Sequence, residues 1–391
     1  MRYERKVAFL LPSMTMGGVS KMLLDILRDL KDSTCKVEIL LLNREGEMLD
    51  QLPEWVTVKK VAGIKDLEGL RKNISNLLNR LGLKHLFHIL KGIYHRHGHL
   101  LVSKRYTFVN DSYDVVVAFQ DGMATWYAAR NIAGTCKLAV IHTDFEKAQY
   151  DASIEMKIYG GFDGIYCTSQ SARESFLRCL PEFAEHTQVL LPHIDRADIC
   201  RKAAIFNGVE LSTTGVNIVT VARLSHEKGI DKALSVLGKL LVAGYDVHWY
   251  FIGDGVDRDR LEALAIKLGC KDNAVFTGKL DNPYRTMAVA DIYVQPSKYE
   301  SYCIALAEAR ALGCAIVTTD FPSAHEQLDH GGGIISGTTE QSLFDSIKIL
   351  IDDPEERKKI ALQNRELFCE DIYINNRLVQ DIKDLFKGEK L

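Results

Sequence analysis

The sequence lacks the features that mark several classes of protein. Its 391 residues include only eight prolines and contain no low-complexity tract or internal repeat, which excludes a proline-rich linker protein and long disordered stretches. No apolar run approaches the roughly 18 residues of a membrane-spanning helix. The run Val7–Leu11 follows three basic residues and stops at Pro12, so it is too short for the core of a signal peptide.

An excess of charge of one sign is missing too. The formal net charge is −3, with both halves near balance, which disfavours a general nucleic-acid binder. The nine cysteines are an odd number without a Cys-x-x-Cys pair, so neither a disulfide framework nor a zinc module is expected. These absences favour a reducing, cytoplasmic compartment. What remains is an ordinary globular composition of 47% apolar and 26% charged residues.

Short apolar runs alternate with helical patterns along most of the chain. Because the runs are continuous rather than alternating, they are typical of parallel strands buried on both faces. One series ends near Leu191, a looser stretch covers 196–214, and a second series begins at Ile218. We therefore predict an α/β protein of two doubly wound Rossmann-like domains, residues 1–200 and 201–373, with a C-terminal helix in 374–391 that crosses back to the first domain. Ligands would bind at the carboxyl ends of the strands, in a cleft between the facing domains.

Two loops that follow predicted strands are rich in glycine. Gly17 and Gly18 open the first helix, where backbone amides attract anions, although Gly-x-Gly-x-x-Gly and a P-loop are absent there. The alternative is a tight turn needed only for packing. Gly253, within Phe251–Gly255, allows backbone contact with a flat ligand, and a plain turn is equally consistent. Asp257 and Asp259 just beyond have the spacing of a metal-binding pair, but helix capping is favoured.

Two further strand ends carry charged side chains. Arg223 and Lys228 follow a buried strand and precede a helix, an arrangement that suits a phosphate group; solvated surface charges are the alternative. Glu300 lies in the loop after the strand Ile292–Gln295, and Glu308 lies in the next helix among apolar neighbours. A buried carboxylate needs a partner, which is either a pair of ligand hydroxyls or a buried ion pair.

Together these stretches resemble the retaining glycosyltransferases of family 4, which have the GT-B fold. The resemblance is strongest over residues 216–375, where Glu300 and Glu308, separated by seven residues, match the family's signature. Residues 45–110 resemble nothing specific. The chain departs from the family at Pro192–Asp195, where an asparagine often precedes the turn, and at Cys303, a position often held by glycine or proline.

The resemblance implies a role for each matching residue. Arg223 and Lys228 would hold the diphosphate of a nucleotide sugar, Glu308 the ribose hydroxyls, and Glu300 the donor sugar. His142, after a strand of the first half, would face the sugar; a satisfied structural histidine is the alternative. The catalytic residues implied are therefore Glu300, His142, Arg223 and Lys228. Further donor contacts are implied at Gly17, Gly18, Gly253, Lys279, Leu280, Ser301, Tyr302, Cys303, Ile304 and Glu308.

The function expected from this resemblance is transfer of a sugar, with retention, from a nucleotide-diphosphate sugar to a glycan or lipid-linked acceptor. Such a hexosyltransferase would act in cell-surface polysaccharide or glycolipid synthesis, with no cofactor, no metal ion and no nucleic-acid partner. Two alternatives stay open: a nucleotide-sugar epimerase of the same fold, and a non-catalytic nucleotide-sugar-binding protein. A dehydrogenase lacks its glycine fingerprint here.

A basic stretch stands out in the first half. Residues 71–105 hold eight Lys or Arg and five His, without any Asp or Glu, and their apolar residues recur at roughly helical spacing. A helix of this kind binds anionic lipid or packs on its own domain with a solvated basic face. The expected location is therefore the cytoplasm, with a peripheral position on the inner membrane face if the first reading holds.

Overall fold

The computed structural model describes residues 5–31, 33, 35–43, 46–61, 109–206, 208–367 and 377–387. The chain divides into two compact units, residues 1–192 together with 374–391, and residues 193–373. The sequence places the boundary at residue 200, whereas helix Arg196–Ala203 belongs to the second unit. The basic stretch 71–105 lies outside the described residues.

The first unit is built on a seven-stranded sheet of order β3-β2-β1-β4-β5-β6-β7, in which every pairing is parallel. The strands are β1 (Arg5–Leu11), β2 (Cys35–Leu41), β3 (Thr57–Lys60), β4 (Val109–Ala118), β5 (Ile132–Ile141), β6 (Gly164–Cys167) and β7 (Thr187–Val189). The helices are α1 (Gly18–Leu30), α2 (Met123–Asn131), α3 (Phe145–Ala148), α4 (Ala152–Tyr159) and α5 (Gln170–Cys179). Short 3-10 helices cover Leu49–Gln51 and Pro181–His186.

Each face of this sheet is covered by its own apolar cluster. Ala8 and Leu10 of β1 point to one cluster, and Val7, Phe9 and Leu11 point to the other. Successive side chains of a strand point to opposite faces of the sheet, so a strand that is apolar at every position must be buried on both faces. The continuous apolar runs of the sequence are explained by this double burial.

The last described helix, α14 (Arg377–Lys387), belongs to the first unit. Its apolar side chains Leu378, Val379 and Ile382 are buried in the cluster that also holds Val7. The Tyr166 hydroxyl of β6 donates a hydrogen bond to Asp381 Oδ2 over 2.5 Å. The C-terminal segment is thus packed on the first sheet by apolar contacts and by a buried polar contact.

The second unit contains a six-stranded parallel sheet of order β10-β9-β8-β11-β12-β13. The strands are β8 (Val216–Val221), β9 (Val247–Ile252), β10 (Ala274–Gly278), β11 (Ile292–Gln295), β12 (Ile316–Thr319) and β13 (Ile334–Ser336). The helices are α6 (Arg196–Ala203), α7 (Ile230–Val242), α8 (Arg258–Lys267), α9 (Tyr284–Val289), α10 (Ile304–Leu312), α11 (Pro322–Leu328), α12 (Glu340–Asp352) and α13 (Pro354–Leu367), with a 3-10 turn at His226–Lys228.

In both sheets the chain reverses its direction of winding beside the first strand of the unit. It proceeds outwards from β8 through β9 to β10 and then returns to β11 on the other side of β8; β1 and β4 are related in the same way. At such a reversal the loops after the two strands diverge and leave a crevice, which is where open α/β sheets bind ligands. The fold therefore predicts ligand-binding positions at the loops after β8 and β11, and at those after β1 and β4.

Among the helices of the described residues, none has both the length and the apolar character needed to cross a membrane.

Candidate functional site

The loops after β8 and β11 pack directly against each other. Gly229 has a φ of +66°, and a Cβ at this position would lie 2.0 Å from the Pro296 carbonyl oxygen. The Lys298 amide also donates to the Glu227 carbonyl over 2.8 Å. Only glycine combines this left-handed backbone with such a close approach. Gly229 thus allows the residue before it, Lys228, to approach the β11 loop.

Lys228 and Glu300 form a largely buried ion pair between these loops. The Lys228 ammonium donates to both Glu300 oxygens over 2.7 Å, and the two side chains are 23% and 9% exposed. Burial opposes the charged form of Lys228, but the adjacent carboxylate outweighs it and holds the pKa of Lys228 above its ordinary value. Lys228 therefore stays charged at the reversal of the second sheet, with the Glu300 carboxylate as its counter-ion.

Three buried polar side chains continue from Glu300 along β11. Ser297 Oγ donates to Glu300 Oε1 over 2.7 Å, and Gln295 Nε2 donates to Ser297 Oγ over 2.8 Å. The Tyr293 hydroxyl donates in turn to Gln295 Oε1 over 2.5 Å. The sequence analysis missed Tyr293 and Gln295 because they lie in an otherwise apolar strand. The glutamine inside this apolar strand was the signal from which a buried polar contact could have been predicted.

Glu308 is buried, with 4% of its surface exposed, and one of its contacts comes from another helix. The Tyr284 hydroxyl of α9 donates to Glu308 Oε1 over 2.8 Å. A neutral phenol therefore holds one of the two carboxylate oxygens. Since α9 follows β10 along the chain, this contact joins α10 to the segment after β10.

Helix α10 begins at the residue expected from the sequence, directly after Cys303. Cys303 has a φ of +70°, which is uncommon outside glycine, and its side chain makes no capping hydrogen bond. The family that the sequence resembles often has a glycine at this position, and glycine adopts such a left-handed backbone readily. Burial, together with the nearby Glu300 charge, raises the pKa of the Cys303 thiol well above its ordinary value, so the side chain is a neutral thiol.

Arg223 differs from Lys228 in its surroundings. Its side chain is exposed, and the guanidinium has no hydrogen-bond or ion-pair partner among the residues that the structure describes. The loop around it is held by Gly253, whose φ is +139° and whose Cβ would lie 2.0 Å from the Ala222 carbonyl oxygen. A fixed backbone thus presents a charge that remains available to a ligand.

The other predicted donor contacts of this unit follow the same sheet edge. Lys279 and Leu280 come directly after β10, two strands away from β8. Ser301, Tyr302 and Ile304 lie in the turn into α10 and are half-buried. The Tyr302 carbonyl accepts a hydrogen bond from Gln327 Nε2.

The remaining predicted residues belong to the first unit. Gly17 and Gly18 follow β1, and His142 follows β5, which pairs with β4. His142 Nε2 is buried without a partner among the described residues, and burial lowers the pKa of the ring to about 4. The imidazole is therefore neutral at physiological pH and keeps one unused ring nitrogen.

Asp121, which the sequence analysis missed, organises the loop that carries His142. Its Oδ1 accepts from the His142 amide over 3.0 Å, and its Oδ2 accepts from Thr143 Oγ1 and the Tyr150 hydroxyl, each over 2.9 Å. An acidic residue directly after a buried strand was the available signal. The structure thus brings Lys228 with Glu300 and Asp121 with His142 into contact, each pair within its own unit.

The acidic pair near α8 does not act as predicted. Asp257 occupies the position before the helix, but its side chain makes no capping bond and instead accepts from Arg260 over 3.1 Å. An arginine one turn along the helix competes with the backbone amides for this carboxylate. Within the part of the chain that the structure describes, no three His, Cys, Asp or Glu side chains are grouped as metal ligands.

Several solved structures share this fold over nearly the whole chain. The HepE protein of Anabaena in complex with UDP and glucose matches with a TM-score of 0.69 at 18% identity, over 99% of this chain and 100% of that one. Sucrose-phosphate synthase from Thermosynechococcus elongatus matches with a TM-score of 0.70 at 15% identity, over 99% and 100%. The predicted GT-B fold class, with two doubly wound Rossmann-like domains, is confirmed.

The second unit can be assigned more closely. Residues 202–367 match the model of the family described as glycosyl transferases group 1. The matched residues include Arg223, Lys228, Glu300 and Glu308, so the predicted resemblance is confirmed at the level of the group 1 glycosyltransferases.

Relatives of known activity match about half of the chain. One is an N-acetylgalactosaminyltransferase of Campylobacter jejuni that acts on a diphospho-undecaprenol-linked sugar, 27% identical over 51% of this chain and 54% of its own length. Another is a GDP-mannose-dependent phosphatidylinositol dimannoside mannosyltransferase of Mycobacterium tuberculosis, 26% identical over 53% and 54%. The chain spans about half the length of these curated relatives.

Proposed function

We propose that the chain transfers a sugar from a nucleoside-diphosphate sugar to a glycan or lipid-linked acceptor, with retention and without a metal ion. The observation that carries this proposal is the buried Lys228–Glu300 pair at the strand-order reversal, beside the exposed guanidinium of Arg223. The named activities of the Campylobacter and Mycobacterium relatives support a nucleotide-sugar donor and a lipid-linked acceptor.

The chemistry requires stabilisation of a departing diphosphate. The bond between the sugar's anomeric carbon and the phosphate oxygen breaks, and that oxygen gains negative charge. A bond then forms from the acceptor hydroxyl oxygen to the same carbon, and the hydroxyl proton passes to the departing phosphate. Fixed cations aimed at the phosphate stabilise the charge where it develops, which is the role that a metal ion would otherwise have.

The residues of the second unit suit this task in different ways. Arg223 presents a planar fork of N–H donors that matches phosphate geometry. Lys228 uses two of its three N–H bonds on Glu300 and keeps one for a ligand, while the pair fixes its position. Glu300 orients the donor sugar, and Glu308, held by Tyr284, accepts from the ribose hydroxyls. His142 of the first unit, neutral and with a free ring nitrogen, faces the sugar as an orienting group.

The first experiment asks which donor binds and what is done with it. Thermal-shift assays with UDP-, GDP- and ADP-sugars identify the donor, since a ligand at about 100 times its Kd stabilises the fold by about 2.7 kcal/mol. Nucleoside diphosphate release is then measured with and without acceptor glycans or lipid-linked sugars. We expect release only with acceptor. Isomerisation of the donor without acceptor would support an epimerase instead, and binding without release a non-catalytic protein.

Retention and metal independence are tested with the same assay. The anomeric configuration of the product, determined by proton NMR, is expected to match that of the donor, and an inverted product would contradict the proposal. The transfer rate is expected to persist in EDTA. If EDTA abolished transfer and divalent ions restored it, Asp257 and Asp259 would become candidate metal ligands.

The ribose assignment is tested at Glu308. In Glu308→Gln, we expect donor affinity measured by calorimetry to fall about tenfold or more, because a charged acceptor of hydroxyl protons is lost. Tyr284→Phe is the matched control, since it removes the internal partner and leaves the carboxylate. Unchanged donor affinity in Glu308→Gln would refute the assignment.

The proposed peripheral location is tested on lipid vesicles. We propose that residues 71–105 attach the protein to anionic lipid, on the basis of their basic, acid-free composition and the lipid-linked substrates of the relatives. The full chain is expected to co-sediment with vesicles containing phosphatidylglycerol and not with phosphatidylcholine alone. Equal binding to both, or none, would contradict it.

A further inference from the structure

The hydrogen-bond chain behind Glu300 has a direction that its chemistry fixes. Tyr293 and Gln295 lie two residues apart on one face of β11, and Ser297 follows at the same spacing. Exposure is 0% for Tyr293, 1% for Gln295 and 0% for Ser297. The phenol donates to the amide oxygen, the amide nitrogen donates to the hydroxyl oxygen, and the hydroxyl can then only donate onwards to Glu300.

The chain ends on one specific oxygen of the carboxylate. Glu300 Oε1 accepts from Ser297 and Lys228 over 2.7 Å each, with Gln295 Nε2 at 3.4 Å. Glu300 Oε2 accepts from Lys228 over 2.7 Å. An ammonium is a point charge whose donors rotate, so Lys228 neutralises the carboxylate without fixing its rotation. The serine hydroxyl distinguishes the two oxygens.

Packing alone does not explain these three side chains. Tyr293 belongs to the apolar cluster that also contains Leu306 and Val219, where an apolar residue fills space without needing partners. A buried amide is unfavourable unless its hydrogen bonds are satisfied. The backbone of this segment is held separately, because Thr318 Oγ1 donates to the Gln295 carbonyl and Thr319 Oγ1 to the Ser297 carbonyl.

We propose that Tyr293, Gln295 and Ser297 are positioning residues that lock the Glu300 carboxylate in one rotation and leave Oε2 as the oxygen that meets the ligand. The inference deepens the proposed function and rests on it for the identity of that ligand. Gln295 is the middle of the three, because it joins the Tyr293 hydroxyl to the Ser297 hydroxyl. The orientation of Glu300 is therefore set by buried residues of β11 and its loop that do not touch the substrate.

The first readout is the carboxyl carbon of Glu300, followed by NMR in labelled protein. Its chemical shift depends on the hydrogen bonds that the carboxylate accepts. The shift is expected to change in Gln295→Leu and in Tyr293→Phe, because both disturb the hydrogen bonds that lead through Ser297 to Oε1.

The second readout is turnover. We expect Gln295→Leu to lower kcat about tenfold with little change in the donor KM, because a misoriented carboxylate costs most in the transition state. Tyr293→Phe removes one oxygen atom and is expected to act in the same direction, so it replaces Gln295→Leu if that variant does not fold. Thr220→Val is the control: it removes a buried hydrogen bond to the Val294 carbonyl on the neighbouring strand and should leave both kcat and the Glu300 carboxyl signal unchanged.

Carboxyl carbon NMR separates this inference from the proposed function. The Glu300 signal is expected to move in Gln295→Leu and Tyr293→Phe whether or not transfer is detected. A moved signal without transfer in the wild type would leave the positioning chain standing and the proposed function wrong. Folded Gln295→Leu and Tyr293→Phe variants with wild-type kcat and an unmoved Glu300 signal would overturn the inference.

Discussion

The two units have polar side chains at the same topological position but use different chemistry there. In the second unit, Lys228 and Glu300 face each other as full opposite charges across the reversal between β8 and β11. In the first unit, Asp121 after β4 accepts three hydrogen bonds from neutral donors, and burial keeps His142 neutral. The same doubly wound architecture can thus hold a carboxylate against a cation, as at Glu300, or against neutral hydrogen-bond donors, as at Asp121, depending on a few residues after the strands.

The largest effect is expected at the charged pair. Lys228→Met leaves the buried Glu300 carboxylate without its cation, so we expect a loss of about 3 kcal/mol in unfolding free energy, measured in urea, together with loss of turnover. The double variant Lys228→Met, Glu300→Gln should recover most of the stability and none of the turnover. If the single variant is as stable as the wild type, the pair does not hold the two loops together.

Arg223 separates activity from stability within the same unit. Because its guanidinium is exposed, Arg223→Ala should change the unfolding free energy by less than about 0.5 kcal/mol while it lowers turnover by roughly 10²-fold, as removal of one donor to a developing charge does. Arg260→Ala, which removes an arginine paired with Asp257 on α8, is the matched control for turnover. Near-normal turnover in Arg223→Ala would refute the phosphate role.

The first unit should respond to pH through its buried groups. Burial raises the pKa of Glu155 from 4.5 to about 7, although Trp126 donates to it. The folded state thus keeps a proton that the unfolded state loses, and stability falls as pH rises from about 4.5 to 7. Glu155→Gln removes this dependence, so its unfolding free energy relative to the wild type should rise by about 2 kcal/mol between about pH 5 and pH 8.

The burial of His142 makes the free energy of unfolding depend on pH in the opposite direction. Its depressed pKa costs stability as pH falls from 6.5 towards 4, and it does so equally in the wild type and in Glu155→Gln. The difference between the two proteins therefore reports Glu155 alone. A constant difference across this pH range would show that Glu155 is ionised in the folded protein.

The smallest effect is expected at Asp121. Asp121→Asn keeps the shape but removes the charge from three hydrogen bonds, and we expect a loss of about 1.5 kcal/mol in unfolding free energy. Asp163→Asn is the control in the same unit, because that exposed carboxylate accepts from the Lys137 amide. Equal effects in the two variants would mean that Asp121 does not organise the loop around His142.

Sequence reasoning was most successful where residues carry local signals. The strand β11 has the predicted bounds Ile292–Gln295, because a continuous apolar run reflects burial directly. The prediction of helix capping at Asp257 was wrong, since an ion pair with Arg260 replaces it. The partner of Glu308 was missed because Tyr284 lies on another helix, and no spacing along the chain encodes that contact.

The α/β class, the two series of strands and the charged residues that follow β8 and β11 could be predicted from the sequence, because burial and strand ends leave patterns between near neighbours. Three contacts are seen only in the folded protein: Lys228 meets Glu300, Asp121 holds the His142 loop, and Tyr293 and Gln295 reach Glu300 through Ser297. Those contacts depend on strand order and on loops approaching to a few ångströms. Strand order and the approach of the loops are both set by the packing of segments that lie far apart in the sequence.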